Sequence, residues 1–551
     1  MKEPNKIIFL AFFILALAVN FAGINVKFFT DDPGLYAAIS KNLIYKKSFL
    51  ELFTYNRDWL DKPHFPFWLV LFSFKAFGIS ECTYRLPALL FFALSLLYTW
   101  LFAVKYYSRE IAFTAVLIVM TALHVLLSNT DVRAEPYLMG LLMGSIYHVA
   151  CLQQRYSFKH LFLAAMLTAC AIMTKGIFVI IPVGGALFGQ LAFQKRLADL
   201  FSFKWLALIV VTIIFTIPEL YALYIQFDLH PEKIVFGTNH VSGLKWFLWD
   251  SQFGRFINAG PISRAATGSK FFYLHTLLWA FAPWCLLFYY AVFKSVKNIF
   301  KGVRLTEYYT LSGGLLLLLL FSFSGFQLPF YTNAVFPLFA IVTAPFCVNQ
   351  LSRFGTNLRA ISLWIFAIAL PLVVVALNYL LKPASNVFFV TDIIIFGIMI
   401  VLILKSVKEN YKRIFFACCA AALFAGFYLN TVFYNEIVPY RGEIAAAEYI
   451  NQKPFDNFKI YSLKFENNIF QFYSKKPIDY LPIEEFKNFR PQQTSLFYVS
   501  QRSMDYLVQT HAAFTIVHSF IDYPQENLKP NFLNRATRAT VLGKVYLISK
   551  P

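Results

Sequence analysis

Residues 28–43 read FFTDDPGLYAAISKNL, residues 56–72 read NRDWLDKPHFPFWLVLF, and residues 81–89 read ECTYRLPAL. An apolar run at 7–26 ends just before the first of these stretches, and another starts at 83, inside the last. The segment 28–82 therefore carries Asp31, Asp32, Arg57, Asp58, Asp61, Lys62 and His64 between two hydrocarbon-length runs. Ionisable groups beside membrane helices are costly unless they serve a purpose. The segment reads as an active-site loop on a membrane-embedded scaffold.

The composition agrees. Of 551 residues, 58% are hydrophobic and 14% charged, and the mean hydropathy is +0.58. A soluble domain carries about a quarter charged residues, so the chain is expected to be a polytopic α-helical membrane protein. The net charge of +20 has a source in basic cytoplasmic loops, and no nucleic-acid reader motif accompanies it. Seven cysteines occur without a C-x-x-C, and all but Cys82 lie in apolar runs, so they read as small core residues. MKEPNK precedes the first run without a small-residue cleavage site, which predicts an uncleaved helix.

Apolar runs near 7–26, 83–104, 111–128, 136–152, 159–174, 177–193, 204–226, 271–293, 308–324, 329–349, 360–381, 388–405 and 413–433 predict about thirteen spans. Lys105, Arg109, Arg155, Lys159, Lys195, Lys204, Lys294, Arg304, Arg353, Lys405 and Arg413 gather on one set of loops; the short opposite loops hold Arg133, Lys175 and Lys382. By the positive-inside rule the N-terminus is cytoplasmic and the C-terminus outside. The expected organisation is a transmembrane domain over 1–433, with outer loops 28–82 and 227–270, and a small soluble α/β domain over 434–551. RGEIAAAEYINQ and NNIFQFYSK read as helices there, while FKIYSLKF, PIDYLP, SLFYVSQ, FTIVHSF and ATVLGKVYLIS read as strands.

Asp31 and Asp32 either cap a short interfacial helix containing Tyr36, or one of them serves as a general base. Pro63 and Pro66 stiffen the backbone around Asp61 and Lys62. Lysine is a point-charge partner for phosphate, and an acid at its side either binds a divalent metal or orients the ammonium. His64 is a second metal-ligand candidate, or else a polar interfacial residue. Asp131, Arg133 and Glu135 can face the first loop or pair with one another. Lys175 and Gly176 suit an anion or a snorkelling ammonium. Glu219 is an intramembrane acid, hence a site candidate or the partner of a neighbouring helix. The loop 227–270 mixes Trp246, Trp249, Lys245, Arg255 and Arg264, which suits a lipid phosphate or an interface belt. Gln327 sits at the tip of an outer hairpin spanning 321–340.

These residues resemble the integral-membrane glycosyltransferases of the GT-C class. The likeness is to the branch with the bacterial lipid A aminoarabinose transferases and the dolichyl-phosphate-mannose protein mannosyltransferases. It rests on Asp32 to Ala37, on Asp61-Lys62-Pro63, on Tyr84-Arg85-Leu86-Pro87 and on Thr130-Asp131. Thr174-Lys175-Gly176, Arg255-Phe256 and the Ser-x-Ser-x-x-x-Leu-Pro-x-Tyr of Ser322 to Tyr331 complete it. The resemblance implies a GT-C fold and an inverting transfer of a sugar from a polyprenyl-phosphate carrier, with undecaprenyl phosphate as the bacterial example. The acceptor would be lipid A, a glycan or a protein, on the periplasmic face of the bacterial inner membrane. It makes Asp32 the candidate base, with Asp31 as alternative because many relatives carry Asp-Glu in place of Asp32-Pro33, and Asp131 its support. Lys62 and Arg255 would hold the carrier phosphate, with Lys175, Tyr36, Arg57 and Arg85 as further substrate-binding candidates. Asp61 and His64 are the candidates for a divalent metal ion. A surface-polysaccharide ligase or polymerase is the nearer alternative, though such enzymes typically lack an acidic loop after the first span and a soluble C-terminal domain. A transporter is the farther one, and it would want its charges in the midplane of broken helices.

Overall fold

The computed structural model describes residues 3–264, 268–464, 467–525 and 527–550. Each apolar run of the sequence lies on one helix or on two consecutive ones. Among the described residues, seven helices are long and apolar enough to cross a membrane. Shorter apolar helices lie at Ile7–Phe21, Phe65–Phe77, Ile177–Phe193 and Tyr309–Phe323. The chain opens with α1 (Glu3–Phe21), α2 (Asp31–Tyr45), β1 (Phe53–Thr54), β2 (Arg57–Asp58), α3 (Phe65–Phe77), α4 (Glu81–Tyr106), α5 (Arg109–Thr121), α6 (Leu123–Ser128), α7 (Glu135–Gln154) and α8 (Phe158–Lys175).

The segment 28–82 is thus more ordered than a loop. Thr30 stands in extended backbone before α2, and Asp31 and Asp32 occupy its first turn, where carboxylates complement the helix dipole and Pro33 is tolerated. Neither aspartate is the cap residue. α3 starts behind Pro63 with Pro66 in its first turn; its 13 residues give roughly 20 Å of helix, too short to cross about 30 Å of hydrocarbon. α4 follows a reciprocal capping box between Ser80 and Thr83, and its 26 residues are ample for a span.

α7 is buried along nearly its whole length, as a helix apolar on all sides must be. It packs between α4 and α8. At Gly140 a Cβ would stand 2.4 Å from the carbonyl oxygen of Phe91, so glycine is what lets α4 and α7 close on each other.

The C-terminal stretch carries β3 (Lys459–Ser462), β4 (Ile478–Tyr480), β5 (Ser495–Ser500), β6 (Thr515–Asp522) and β7 (Gly543–Ser549). They form one sheet in the order β4-β3-β5-β7-β6. β3 runs parallel to β4 and β5, and β7 is antiparallel to β5 and β6. The helices Gly442–Ile450 and Asn468–Tyr473 cover one face through Ala446, Ile450 and Phe470. Helix Gln501–Gln509 covers the other through Met504 and Leu507. Burial of both faces explains why β5 is apolar from Leu496 to Val499.

α2 seats this α/β layer on the helical bundle. Gly34 lies against Ile469, whose Cγ1 would be 2.8 Å from any Cβ there. Lys41, 2% exposed, donates to the carbonyls of Gln471, Phe472 and Ser474 at 2.6, 3.0 and 2.6 Å. These are carbonyls that the end of a helix leaves without intrahelical partners. Burial draws the pKa of Lys41 down to about 7. The Tyr473 hydroxyl accepts from the Phe28 amide at 3.0 Å.

Candidate active site

The loop between α6 and α7 is clamped from below. Arg85 donates to the carbonyls of Thr130 at 2.7 Å and Ile24 at 3.0 Å, and Tyr84 donates to the Val132 carbonyl at 2.9 Å. The Thr130 hydroxyl donates to Asn430 at 2.7 Å. Held this way, the loop presents Asp131 and Arg133. Thr30 donates to Asp131, whose other oxygen takes Arg133 at 3.2 Å. The same guanidinium bonds Asp32 and lies 4.3 Å above the Phe330 ring. Burial works against the Arg133 charge, but Asp131, Asp32 and Glu135 outweigh it and raise its pKa.

Asp31 turns the other way, accepting from Asn468 at 2.8 Å. Asp31 and Asp32 both line a polar cavity of about 780 Å³ between α2 and the C-terminal sheet. Arg441, Glu443, Lys464, Arg502 and Asp522 form much of its far wall.

A second cluster is built on the Asp61 carboxylate. Lys62 holds one oxygen at 2.6 Å and Arg255 the other. Burial alone would raise the Asp61 pKa; the two cations outweigh it and lower it. Arg255 belongs to helix Ser251–Ile257, in the 227–270 segment, which is tied down by Gln226 and Lys233. Gln226 bonds the Leu52 backbone and Asp58, and Lys233 pairs with Glu51 and Asp58. Lys175 pairs with Glu135 and lies 3.9 Å from the centre of the Tyr331 ring.

Lys62, Lys175 and Arg255 share one cavity of about 340 Å³. Its remaining wall is largely apolar and includes Ile177, Phe178, Phe253, Phe256, Leu320 and Phe321. Tyr36 lies between the clusters: burial and the charges of Asp32, Asp61 and Glu135 push its phenol pKa well up. The arrangement can hold an anion on a long apolar group and, beside it, a carboxylate facing a polar chamber.

The structure places several of the other sequence candidates apart from these cavities or in other roles. Arg85 is 1% exposed and spends its guanidinium on backbone carbonyls, so it is a strut under the Asp131 loop rather than a substrate ligand. Arg57 sits on the C-terminal side, 4.5 Å over the Tyr480 ring, and is absent from the wall of the cavity that Lys62 and Arg255 share. Asp61 and His64 do not fit a metal site. The Asp61 oxygens are taken by cations, and His64 bonds Glu219 at 3.0 Å through Nδ1 and the Leu50 carbonyl at 3.0 Å through Nε2. Neither ring nitrogen is free to ligate, and no group of three or more metal-ligating side chains occurs among the described residues. Glu219 is the helix partner of His64. Gln327 donates to the carbonyls of Ser269 at 3.0 Å and Phe321 at 3.2 Å, which makes it a hairpin brace.

Phe330 and Tyr331 escaped the sequence reading as site residues. The Leu328-Pro329-x-Tyr331 element was the available signal, but an aromatic in an aromatic-rich chain does not declare that cations stack on it.

Comparison with known proteins accords with this geometry. The family described as dolichyl-phosphate-mannose-protein mannosyltransferase matches residues 61–221. An uncharacterised protein of Aquifex aeolicus is 22% identical over 452 residues, covering 81% of this chain and 82% of that protein. The undecaprenyl phosphate-alpha-4-amino-4-deoxy-L-arabinose arabinosyl transferase of Yersinia pestis is 23% identical over 388 residues, covering 69% of this chain and 66% of that protein. The crystal structure of ArnT from Cupriavidus metallidurans bound to undecaprenyl phosphate superposes with a TM-score of 0.75 at 17% identity. It covers 98% of this chain and 97% of that one. The resemblance to GT-C glycosyltransferases of the aminoarabinose-transferase and protein-mannosyltransferase type stands on these findings.

Proposed function

We propose that this chain is a multi-pass inner-membrane glycosyltransferase that moves a sugar from a polyprenyl phosphate, such as undecaprenyl phosphate, to a lipid A, glycan or protein acceptor on the periplasmic face. The observation that carries the proposal is the shared cavity in which Lys62, Lys175 and Arg255 meet an apolar wall. A phosphate on an isoprenoid tail needs that combination, cations at one end and hydrocarbon along the rest.

In this reading the acceptor enters through the polar cavity and its hydroxyl reaches Asp32. Asp32 takes the proton as the acceptor oxygen attacks the anomeric carbon, and the bond from that carbon to the phosphate oxygen breaks. The electron pair leaves with the polyprenyl phosphate, which gains negative charge as the bond opens. Lys62, Lys175 and Arg255 stabilise that growing charge, the place where fixed cations contribute most. Asp61 keeps Lys62 and Arg255 aimed. Arg133 orients Asp32, and Asp131 with Thr30 orients Arg133. A single displacement inverts the anomeric centre.

The test is mass spectrometry of surface lipids, glycans and glycoproteins from a strain lacking this chain, with the strain complemented by the gene as control. Loss of one sugar mass from one acceptor, restored on complementation, is expected and would identify donor and acceptor together. Unchanged glycoforms in every fraction would remove the proposal.

A further inference from the structure

A third cavity, of about 440 Å³, lies at the opposite end of the bundle. Glu135 opens α7 and Lys175 closes α8, and the two pair beside the candidate active site. The other ends of these helices, Gln154 and Phe158, therefore lie roughly 27–30 Å away along the helix axes. Lys105, Gln154, Arg155, Ser157 and His160 line the cavity there, with Cys151 and Tyr156 and no carboxylate. Lys105 donates to Gln154, an amide that leaves its charge uncompensated. His160 meets His148 Nδ1 to Nδ1 at 2.7 Å, and Tyr98 holds the far nitrogen of His148 at 3.1 Å. The His160 ring is thereby fixed in place at the cavity wall. Ser157, at the head of the 18-residue α8, makes no side-chain cap, so the first-turn amides have no side-chain acceptor. Two cations, an imidazole and a helix start converge on one concavity without an anion of the protein's own.

The surroundings indicate where such an anion comes from. Tyr156, Phe158 and Phe162 flank the cavity at 60%, 68% and 38% exposure, the aromatic fringe expected where a bundle meets the headgroup layer. We propose that this cavity is a phosphate-binding site occupied by the headgroup of an anionic membrane lipid in the leaflet away from the active site. Lys105 and Arg155 supply the charge, and His160 with the α8 amides supplies direction. The site is independent of the transfer reaction, because none of its residues touches the two active-site cavities.

The experiment is native mass spectrometry of the full-length protein in detergent, titrated with phosphatidylglycerol, with phosphatidylcholine and with inorganic phosphate. Lys105→Ala/Arg155→Ala is compared with wild type. Wild type should retain phosphatidylglycerol over phosphatidylcholine, and the double variant should bind it about 25-fold more weakly, about fivefold for each cation removed. Displacement of the lipid by millimolar inorganic phosphate would reassign the occupant to a free anion and overturn the lipid. Equal retention by wild type and variant would overturn the site itself. If the double variant melts early, Arg155→Gln alone decides, since Arg155 is exposed, and about fivefold weakening is then expected.

Discussion

Arg133 bonds Asp32 and Asp131 at once, an arrangement that sets the direction of a carboxylate as well as its charge. Its consequence is that Asp32 can be changed to its amide without collapsing the cluster, since Asn still accepts from Arg133. Asp32→Asn is expected to lower transfer about 10²–10⁴-fold, the usual worth of a general base, while binding of polyprenyl phosphate persists. Turnover assays beside carrier-binding titrations read both. Wild-type turnover by Asp32→Asn together with loss in Asp31→Asn would make Asp31 the base. Lys62→Ala should instead raise the KM for the lipid carrier, because it removes a phosphate cation and leaves Asp61 with Arg255 alone. His64 behaves differently from both. Its ring is buried against Glu219, and His64→Ala removes one of the two donors to that buried carboxyl while the backbone amide keeps the other, at about 1–3 kcal/mol. Thermal unfolding should show that loss, and added divalent metal should not restore it.

Among the elements, α2 decides how the two halves of the molecule meet. Three carbonyls at the end of helix Asn468–Tyr473 converge on Lys41. Lys41→Met keeps the length of the side chain and removes the donors. It should destabilise the fold by on the order of 3 kcal/mol, given about 1–3 kcal/mol for each buried acceptor left unpaired. A lower unfolding temperature and faster proteolysis at the 434–441 junction would register it. α2 also marks the boundary of what the sequence discloses. Asp32-Pro33 announces a helix start and the strands after residue 458 announce themselves by alternation, since both signals are local. The destinations of Lys41, Arg85 and His64 lie 430, 45 and 155 residues away. Arg85 reads as a substrate-ligand candidate and His64 as a metal-ligand candidate until tertiary packing supplies carbonyls and a carboxylate, and nothing local marks Lys41 at all. The same limit hid α3, which reads as part of a loop until α2, α4 and the C-terminal helix Asn468–Tyr473 pack against it.

At the scale of the whole molecule, the site exists because segments far apart in the chain close two cavities from opposite sides. The helical bundle supplies the apolar one, and the α/β layer roofs the polar one over Asp31 and Asp32. That roof contains a buried acid. Asp522 ends β6 and accepts from the Gly442 amide at 3.0 Å, fastening helix Gly442–Ile450 to the sheet. Burial, and then the nearby charge of Glu443, raise its pKa from 3.8 to about 6, against the pull of Arg441. A carboxyl with a raised pKa holds its proton more tightly folded than unfolded. Its contribution to stability is therefore complete below about pH 4 and disappears as the pH climbs through about 6. Asp522→Asn keeps the oxygen that accepts from Gly442 and abolishes the titration. Plotted against pH, the stability of wild type minus variant should fall by about 1–3 kcal/mol between pH 4 and 7, then stay level. Unfolding temperatures across that range measure the difference, and subtraction cancels the other carboxylates that titrate with it. Parallel curves for the two proteins would mean that Asp522 is ionised in the fold at its ordinary pKa, with Arg441 rather than burial in control of the roof.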